Sequence, residues 1–356
     1  RRGGGGMIRF EPRGPAPVSL RVAASLGALA AAFLLAAVPL AAAGAPILRS
    51  FVLMAQGAAG SVFAITETLT RATPLIFTGL AAAVAFRARL FNIGAEGQLY
   101  AGALAAVAVG SGAIEAPPVL HVPVILAAGA AAGAALMLGP ALLKSRLGVD
   151  EVVTTLLLNF VVLLVVQMML EGPLKDPMGG GWPQSEPILP EGSLPVLVER
   201  MRLHAGFLLA LLAAVLVHVL VARTTLGLKI RAVGENPAAA HYAGIGVGGV
   251  MIGVGLLSGA LAGLAGASEV AGLKGYLTSD MSRGLGYAGI VVAMVAALHP
   301  LAVVPAAIFI AGVFVGADTM SRTVGVSNYI ADLIVSLALI CVLVSGLFVR
   351  WRIRVR

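Results

Sequence analysis

Charge is what this chain lacks most. Only 11% of its 356 residues are Asp, Glu, Lys or Arg, while 59% are hydrophobic and the mean hydropathy is +1.00. A soluble domain carries roughly 25% charged residues, so a water-soluble monomer is excluded. Aromatics are scarce at 5%. One cysteine, Cys341, sits in an apolar run, which rules out an internal disulfide and reads as a packed thiol. There is no GxxxxGK[ST], so the chain does not itself hydrolyse nucleotide by a P-loop mechanism. There is no HExxH, and His121, His204, His218, His241 and His299 lack metal-ligand spacing. GxSxG is also missing, which leaves an intramembrane enzyme poorly supported. The ten-residue alternation of an outer-membrane barrel does not occur either.

What the chain has is a series of apolar runs near the ~20 residues a helix needs to cross a bilayer. Forty-five glycines and many alanines let such helices approach closely. The expectation is an all-α polytopic membrane protein with about ten transmembrane helices. The candidate spans are 20–44, 72–89, 95–113, 119–142, 149–170, 204–222, 243–266, 285–299, 301–318 and 328–349. Residues 1–19 and 350–356 read as basic tails around a transmembrane domain over 20–349. The first apolar block, Val22 to Ala43, is too long for a signal-peptide core. The net charge of +8 is placed at membrane flanks, with Arg1, Arg2, Arg9, Arg13 and Arg21 before the first block and Arg350, Arg352, Arg354 and Arg356 after the last. That placement argues against nucleic acid.

The positive-inside rule tests the count. Ten spans with both termini in the cytoplasm put Arg87, Arg89, Lys144, Arg146, Arg223, Lys229 and Arg231 on that side. Residues 46–74 do not fit, because a further span there would invert everything downstream. They read as a helix at the outer interface or dipping part-way in. The interval 171–203 then lies outside. Its Glu171–Arg202 stretch holds six prolines and five acidic residues against three basic ones, and docking an external partner or merely connecting spans are both open. Residues 223–245 lie in the cytoplasm. Asn236 is a good N-cap, Pro237 suits the first helical position, and a short helix to Ala243 ends at Gly244, after a turn at Gly234. Such a helix is a handle for a soluble partner to push.

Polar residues at membrane depth are functional candidates. RLFNIGAEGQLYAG (89–102) carries Asn92, Glu96 and Gln98, with Glu96 either touching cargo or holding a turn by pairing with an arginine. GVDEVVTTLLLNF carries Asp150 and Glu151 at a helix start, where plain capping is one reading. Asn159 falls some 13 Å further in. SEVAGLKGYLTSDMSRGLGY carries Glu269, Lys274, Asp280 and Arg283, and Asp318 and Asp332 lie near the ends of late spans. The apolar core from Pro74 to Phe86 and the span 285–299 are both short, and paired short or interrupted segments point to a transporter's substrate path. Phe91, Tyr100, Tyr276 and Tyr287 are stacking or packing residues.

FNIGAEGQ, DEVVTTLLLNF, GLKIRAVGENPAAAHYAGI and GYAGIVVAMVAALHPLAVVPAAIFIAGVFVGA, in this order, resemble permease subunits of bacterial ABC importers. The branch is the ribose-type permeases, and within it those serving nucleosides through basic-membrane-lipoprotein receptors. The resemblance implies a transport subunit, not an enzyme, in the bacterial inner membrane. It implies pairing with a second permease as a heterodimer, a cytoplasmic ABC ATPase holding ATP and Mg, and an external substrate-binding lipoprotein. This chain itself would hold no cofactor and no metal. Carried over, Gly234, Glu235, Asn236, Pro237, Ala240 and Gly244 would fit a groove on the ATPase. Asn92, Glu96, Gln98, Asn159 and Glu269 are the substrate-path candidates. FNIGAEGQ differs from the ribose branch's wording, which favours nucleosides over simple sugars. A simple-sugar ABC permease and a proton-coupled secondary transporter using Glu96 and Glu269 are the alternatives.

Overall fold

The computed structural model describes residues 8–12, 17–113 and 117–355. Arg1, Arg2, Arg13 and Arg356 of the basic flanks lie outside the described residues. Among the described residues the named strands form one short antiparallel ribbon, β1 (Ile8–Pro12) with β2 (Trp351–Val355), in stretches expected to be plain tails. The helices are α1 (Val18–Ala42), α2 (Ile47–Ala59), α3 (Val62–Arg87), α4 (Ala95–Ala108), α5 (Pro118–Leu147), α6 (Glu151–Glu171), α7 (Gly206–Arg223), α8 (Thr225–Glu235), α9 (Pro237–Tyr242), α10 (Val247–Glu269), α11 (Leu285–Val295), α12 (Pro300–Val324) and α13 (Asn328–Arg350). A π turn extends α4 over Val109–Ala113, and another extends α10 over Val270–Lys274.

Seven of these helices are long and apolar enough to cross a membrane among the described residues, or eight if the bent pair Ala30–Ala42 and Ile47–Ala59 is one span. The expected ten exceed this because two of them, at 95–113 and 285–299, are not full-length α-helices: α4 has 14 residues and α11 has 11. The segment 46–74 is also corrected. It is no single interfacial helix, since α2 turns 118° from α1 and residues 62–74 are the first half of the 26-residue α3. Sequence alone sets 46–74 aside as a span because it carries Arg49, Gln56, Glu67 and Arg71 and would invert the parity downstream. In the structure Glu67 and Arg71 are half-buried, Glu67 lies 3.8 Å from Arg202, and the Thr70 and Thr73 hydroxyls donate to the Thr66 and Leu69 carbonyls of their own helix.

Contacts divide the chain into two compact units, residues 1–64 with 312–356, and residues 65–311. In the first, Ala36, Leu40, Ala45, Met320 and Ile334 form a core, and Gly316 lets α12 approach the Met54 carbonyl of α2. In the second, α10 packs along α5 and α4 with backbone against backbone. A Cβ on Gly259 would stand 2.3 Å from the Gly133 carbonyl oxygen, and one on Gly266 would stand 1.9 Å from that of Leu99. Small residues take this role between membrane helices because lipid supplies no hydrophobic drive, so close van der Waals packing must do so.

His204 shows how tightly the far end of this unit is closed. It is buried just before α7, its Nδ1 accepts the Gly206 N–H at 3.2 Å, and burial pushes its pKa down to about 4. The folded pKa therefore lies below the unfolded ~6.5. Between those values the unfolded chain binds the extra proton, so stability is complete above pH 6.5 and falls by up to about 3 kcal/mol as pH drops toward 4. Thermal melts of the purified protein should show this fall, and His204→Gln should start from a lower Tm yet lose the extra acid sensitivity. An equal acid slope in both proteins would refute it.

Candidate functional site

The candidate site grows from the loop between α3 and α4. After Arg87 the chain leaves the helix and runs without regular secondary structure through Leu90–Ile93, so the Phe91 and Ile93 amides need partners. One face of α6 supplies them at four-residue spacing. Glu151 Oε1 accepts the Phe91 N–H at 3.1 Å, Thr155 Oγ1 accepts the Ile93 N–H at 3.2 Å, and Asn159 Oδ1 accepts the Gly97 N–H at 2.8 Å. Glu151 is thus not a plain helix cap. Asp150 caps α6 by accepting the Val152 N–H, and Glu151 instead binds the loop and pairs with Lys144 at 2.7 Å. Asn159 also donates to the Ile93 carbonyl and to the Tyr287 hydroxyl, each at 3.0 Å.

Asn92 and Gln98 close on each other. The Asn92 amide nitrogen donates to Gln98 Oε1 at 2.8 Å and to the Ser258 hydroxyl at 2.9 Å. Asn92 Oδ1 accepts from Gly94 N and from Gln98 Nε2, and Ser258 in turn donates to the Ala81 carbonyl. All three residues are buried, and this network joins α3, α4 and α10.

Glu96 reaches across to α11. Its two carboxylate oxygens accept the Gly284 N–H at 3.1 Å and the Gly286 N–H at 2.7 Å, capping a helix nearly 190 residues away in sequence. A carboxylate suits the positive end of a helix dipole. The expected pairing of Glu96 with a nearby arginine is therefore replaced by this cap. Gly286 permits it, because a Cβ there would meet the Glu96 backbone nitrogen at 2.3 Å. Thr78 of α3 lies 3.2 Å from the Leu285 carbonyl and beneath Gly289. At its other end, α11 turns through Ala297 and Leu298, both with positive φ, and Arg87 Nε donates to the Leu298 carbonyl at 2.8 Å.

The result is two half-helices, α4 and α11, that begin side by side inside the helical unit. Asn159 lies eight residues along α6, about 12 Å from its start, and contacts both. Broken helices whose N-termini meet at depth are the arrangement transporters use for substrate paths. A family described as branched-chain amino acid transport system / permease component matches residues 64–343. The chain belongs to this family. It is similar to the guanosine ABC transporter permease protein NupP of Bacillus subtilis, 37% identical over 81% of this chain and 83% of that one. It is 33% identical to the glucose ABC transporter permease protein TsgB13 of Haloferax volcanii, over 97% and 93% of the two chains. The nucleoside ABC transporter permease protein NupB of Lactococcus lactis is 32% identical over 74% of this chain and 75% of its own. No solved structure gave a significant match. This chain is an ABC-importer permease subunit in a membrane, a transport component rather than an enzyme.

Glu269, the fifth path candidate of the permease, lies apart from the Asn92–Glu96–Asn159 group. It is buried at the end of α10 in the field of Arg71 and Lys274, and its Oε1 has no hydrogen-bond partner among the described residues. Sequence reasoning singles out Thr155 with Asn159 as polar at depth, but misses Ser258 and Thr78 as anchors. The i, i+4, i+8 spacing of Glu151, Thr155 and Asn159 was the available signal.

The segment 223–245 folds as α8 and α9. Asn236 Oδ1 accepts the Ala239 N–H at 3.1 Å, Pro237 opens α9, Ala240 is buried, and Gly244 has φ +79°. Gly234 is not a turn, however. It lies inside α8, against the end of α3, where a Cβ would fall 1.8 Å from the Arg87 carbonyl oxygen. Glu235 is the last residue of α8, and Tyr242 at the end of α9 is fully exposed. Gly234→Ala is expected to lower the Tm by at least 5 °C and to loosen α8 from α3, readable as faster hydrogen exchange over 225–235. Unchanged exchange would contradict the packing.

Proposed function

We propose that this permease carries nucleosides across the cytoplasmic membrane of a bacterium by alternating access, as one half of a channel completed by a second, similar permease. The half-helix junction of α4 and α11 is the observation that carries the reading. With the Arg87, Lys144 and Arg223 ends in the cytoplasm, both termini are cytoplasmic, α4 and α11 complete the ten-segment arrangement as broken elements, and residues 171–203 face an external substrate-binding lipoprotein. The α8–α9 pair is the coupling element, docking through Glu235, Asn236, Pro237 and the exposed α9 surface onto an ABC ATPase. ATP and Mg are held there, and this chain holds no cofactor or metal. Closure of the ATPase dimer moves α8–α9 and opens the path outward; hydrolysis resets it. Asn92, Glu96, Gln98 and Asn159 hold the half-helices in register as the path's frame, and Glu269 belongs to its outer part.

The relatives named for guanosine and nucleosides support this cargo. The relative named for glucose supports a sugar as the second reading. Reconstitution with a cognate ABC ATPase, partner permease and receptor tests both. ATP-driven guanosine uptake is expected, glucose should compete poorly, and Glu235→Arg with Pro237→Gly should uncouple hydrolysis from uptake while leaving Tm within 2 °C. Full uptake in those variants would sink the coupling assignment, and uptake of glucose alone would replace the cargo.

A further inference from the structure

Beside the framed junction lie three side chains that the frame does not consume. Tyr287, in the first turn of α11, is 38% exposed, and its hydroxyl oxygen accepts from Asn159, leaving its own proton free to donate. Arg283 and Asp280 precede the helix, with side chains 59% and 67% exposed. Their closest approach is 3.7 Å, too long for a good hydrogen bond, so Arg283 keeps bonding capacity for a third party, and Asp280, beside the Thr278 hydroxyl, keeps lone pairs beyond that one neighbour.

These residues do not sit at an end of the bundle. The Leu189 N–H bonds Gly110 O and the Ile188 N–H bonds Gly275 O, which sets residue 275 level with the far end of α4. From there the chain descends. The Tyr100 hydroxyl donates to Ser279 O at 2.7 Å and accepts the Ser282 N–H at 3.1 Å, and Tyr100 lies eight residues, about 12 Å, before the end of α4 at Ala108. Residues 275–278 run beside 184–188, and the chain then enters the span of α4, so Asp280 and Arg283 flank the level of the Tyr100 hydroxyl. Charged side chains at such depth face a water-filled cavity, not lipid. Arg283 is held there at φ +47°, a strained conformation for a non-glycine residue that clusters at ligand clamps.

We propose that Asp280, Arg283 and Tyr287 form the recognition set of the translocation path for a vicinal diol on a sugar ring. Asp280 accepts both hydroxyl protons of the diol, Arg283 donates to a hydroxyl oxygen, and the Tyr287 ring offers a face to the ring carrying them. Diol and ring face are common to a ribonucleoside and a pyranose, so the set selects a class rather than one compound. The inference rests on the importer reading above but not on its choice of cargo.

The test uses the full complex in proteoliposomes, with guanosine and 2′,3′-dideoxyguanosine as paired probes. The wild-type complex should show a KM at least tenfold lower for guanosine. Asp280→Asn should erase most of that preference by weakening guanosine alone, whereas Tyr287→Ala should raise both KM values about equally. The receptor is the same throughout, so a changed ratio belongs to the permease. Both substituted positions are exposed, and an unchanged Tm will show that the fold is intact. A wild-type preference that survives in Asp280→Asn, or no preference in the wild type, overturns the proposal. Absence of any ATP-driven uptake by the wild-type complex would instead remove the importer reading beneath it.

Discussion

Replacing Gly263 by leucine is expected to abolish the folded protein. Gly263 sits where α10 crosses both α5 and α4. A Cβ at this position would stand 2.1 Å from the Gly129 carbonyl oxygen, and a Cβ on the facing Gly102 would stand 2.2 Å from the Gly263 oxygen. Both obstacles are backbone, so no rotamer change relieves them, and the helices must separate by about an ångström or more along a shared seam. Overpacking of an ordinary core costs about 1–3 kcal/mol, and here three helices move at once. Gly263→Ala should already lower the Tm by 5 °C or more. Gly253, on the same helix, has open space around it, with nothing within 4 Å of where a Cβ would stand, so Gly253→Ala should be neutral or slightly stabilising. Size-exclusion profiles and melts in detergent separate the three. A monodisperse Gly263→Leu protein with wild-type Tm would refute the seam.

The second large effect is expected at Glu96. Glu96→Ala strips the acceptors from Gly284 and Gly286 and leaves two amides unpaired at the buried start of α11. Hydrogen bonds to a charged group are worth about 1.5–3 kcal/mol each, enough to let the 11-residue α11 lose its register. ATP-driven uptake should fall at least thirtyfold, with a lower Tm. Glu96→Gln keeps one acceptor and turns an NH2 group toward the other amide, so it should fall between. Because both oxygens are engaged, activity in the wild type should not follow a proton gradient. Collapse of uptake by an uncoupler at constant ATP would return Glu96 to the role of a proton carrier.

Much of this is legible in local sequence. Scarce charge and repeated apolar runs give a helical membrane protein, and Asn236, Pro237 and Gly244 give the bounds of α9 to within a residue. FNIGAEGQ and DEVVTTLLLNF announce polar groups at depth, but not what those groups touch. Of the five path candidates, Asn92, Glu96, Gln98 and Asn159 spend their bonding capacity on backbone and on one another. Polarity at membrane depth reveals that a partner exists, not whether that partner is cargo or an unwound loop. The helix beginning at Val62 looks shorter in sequence for a similar reason, since Glu67 and Arg71 read as solvent-facing charges until their half-burial is known.

The sequence by itself determined the solvent this protein folds in, the ends of most helices and the family it belongs to, because hydropathy, caps and ordered motifs act over a few residues. Only the tertiary structure decided that Glu96 caps α11, that Gly234 is a contact and not a turn, and that Asp280, Arg283 and Tyr287 are the side chains left open beside the junction. Each of those depends on residues brought together from as far as 190 positions apart. No local pattern encodes which amide a carboxylate will meet across a bundle; packing does.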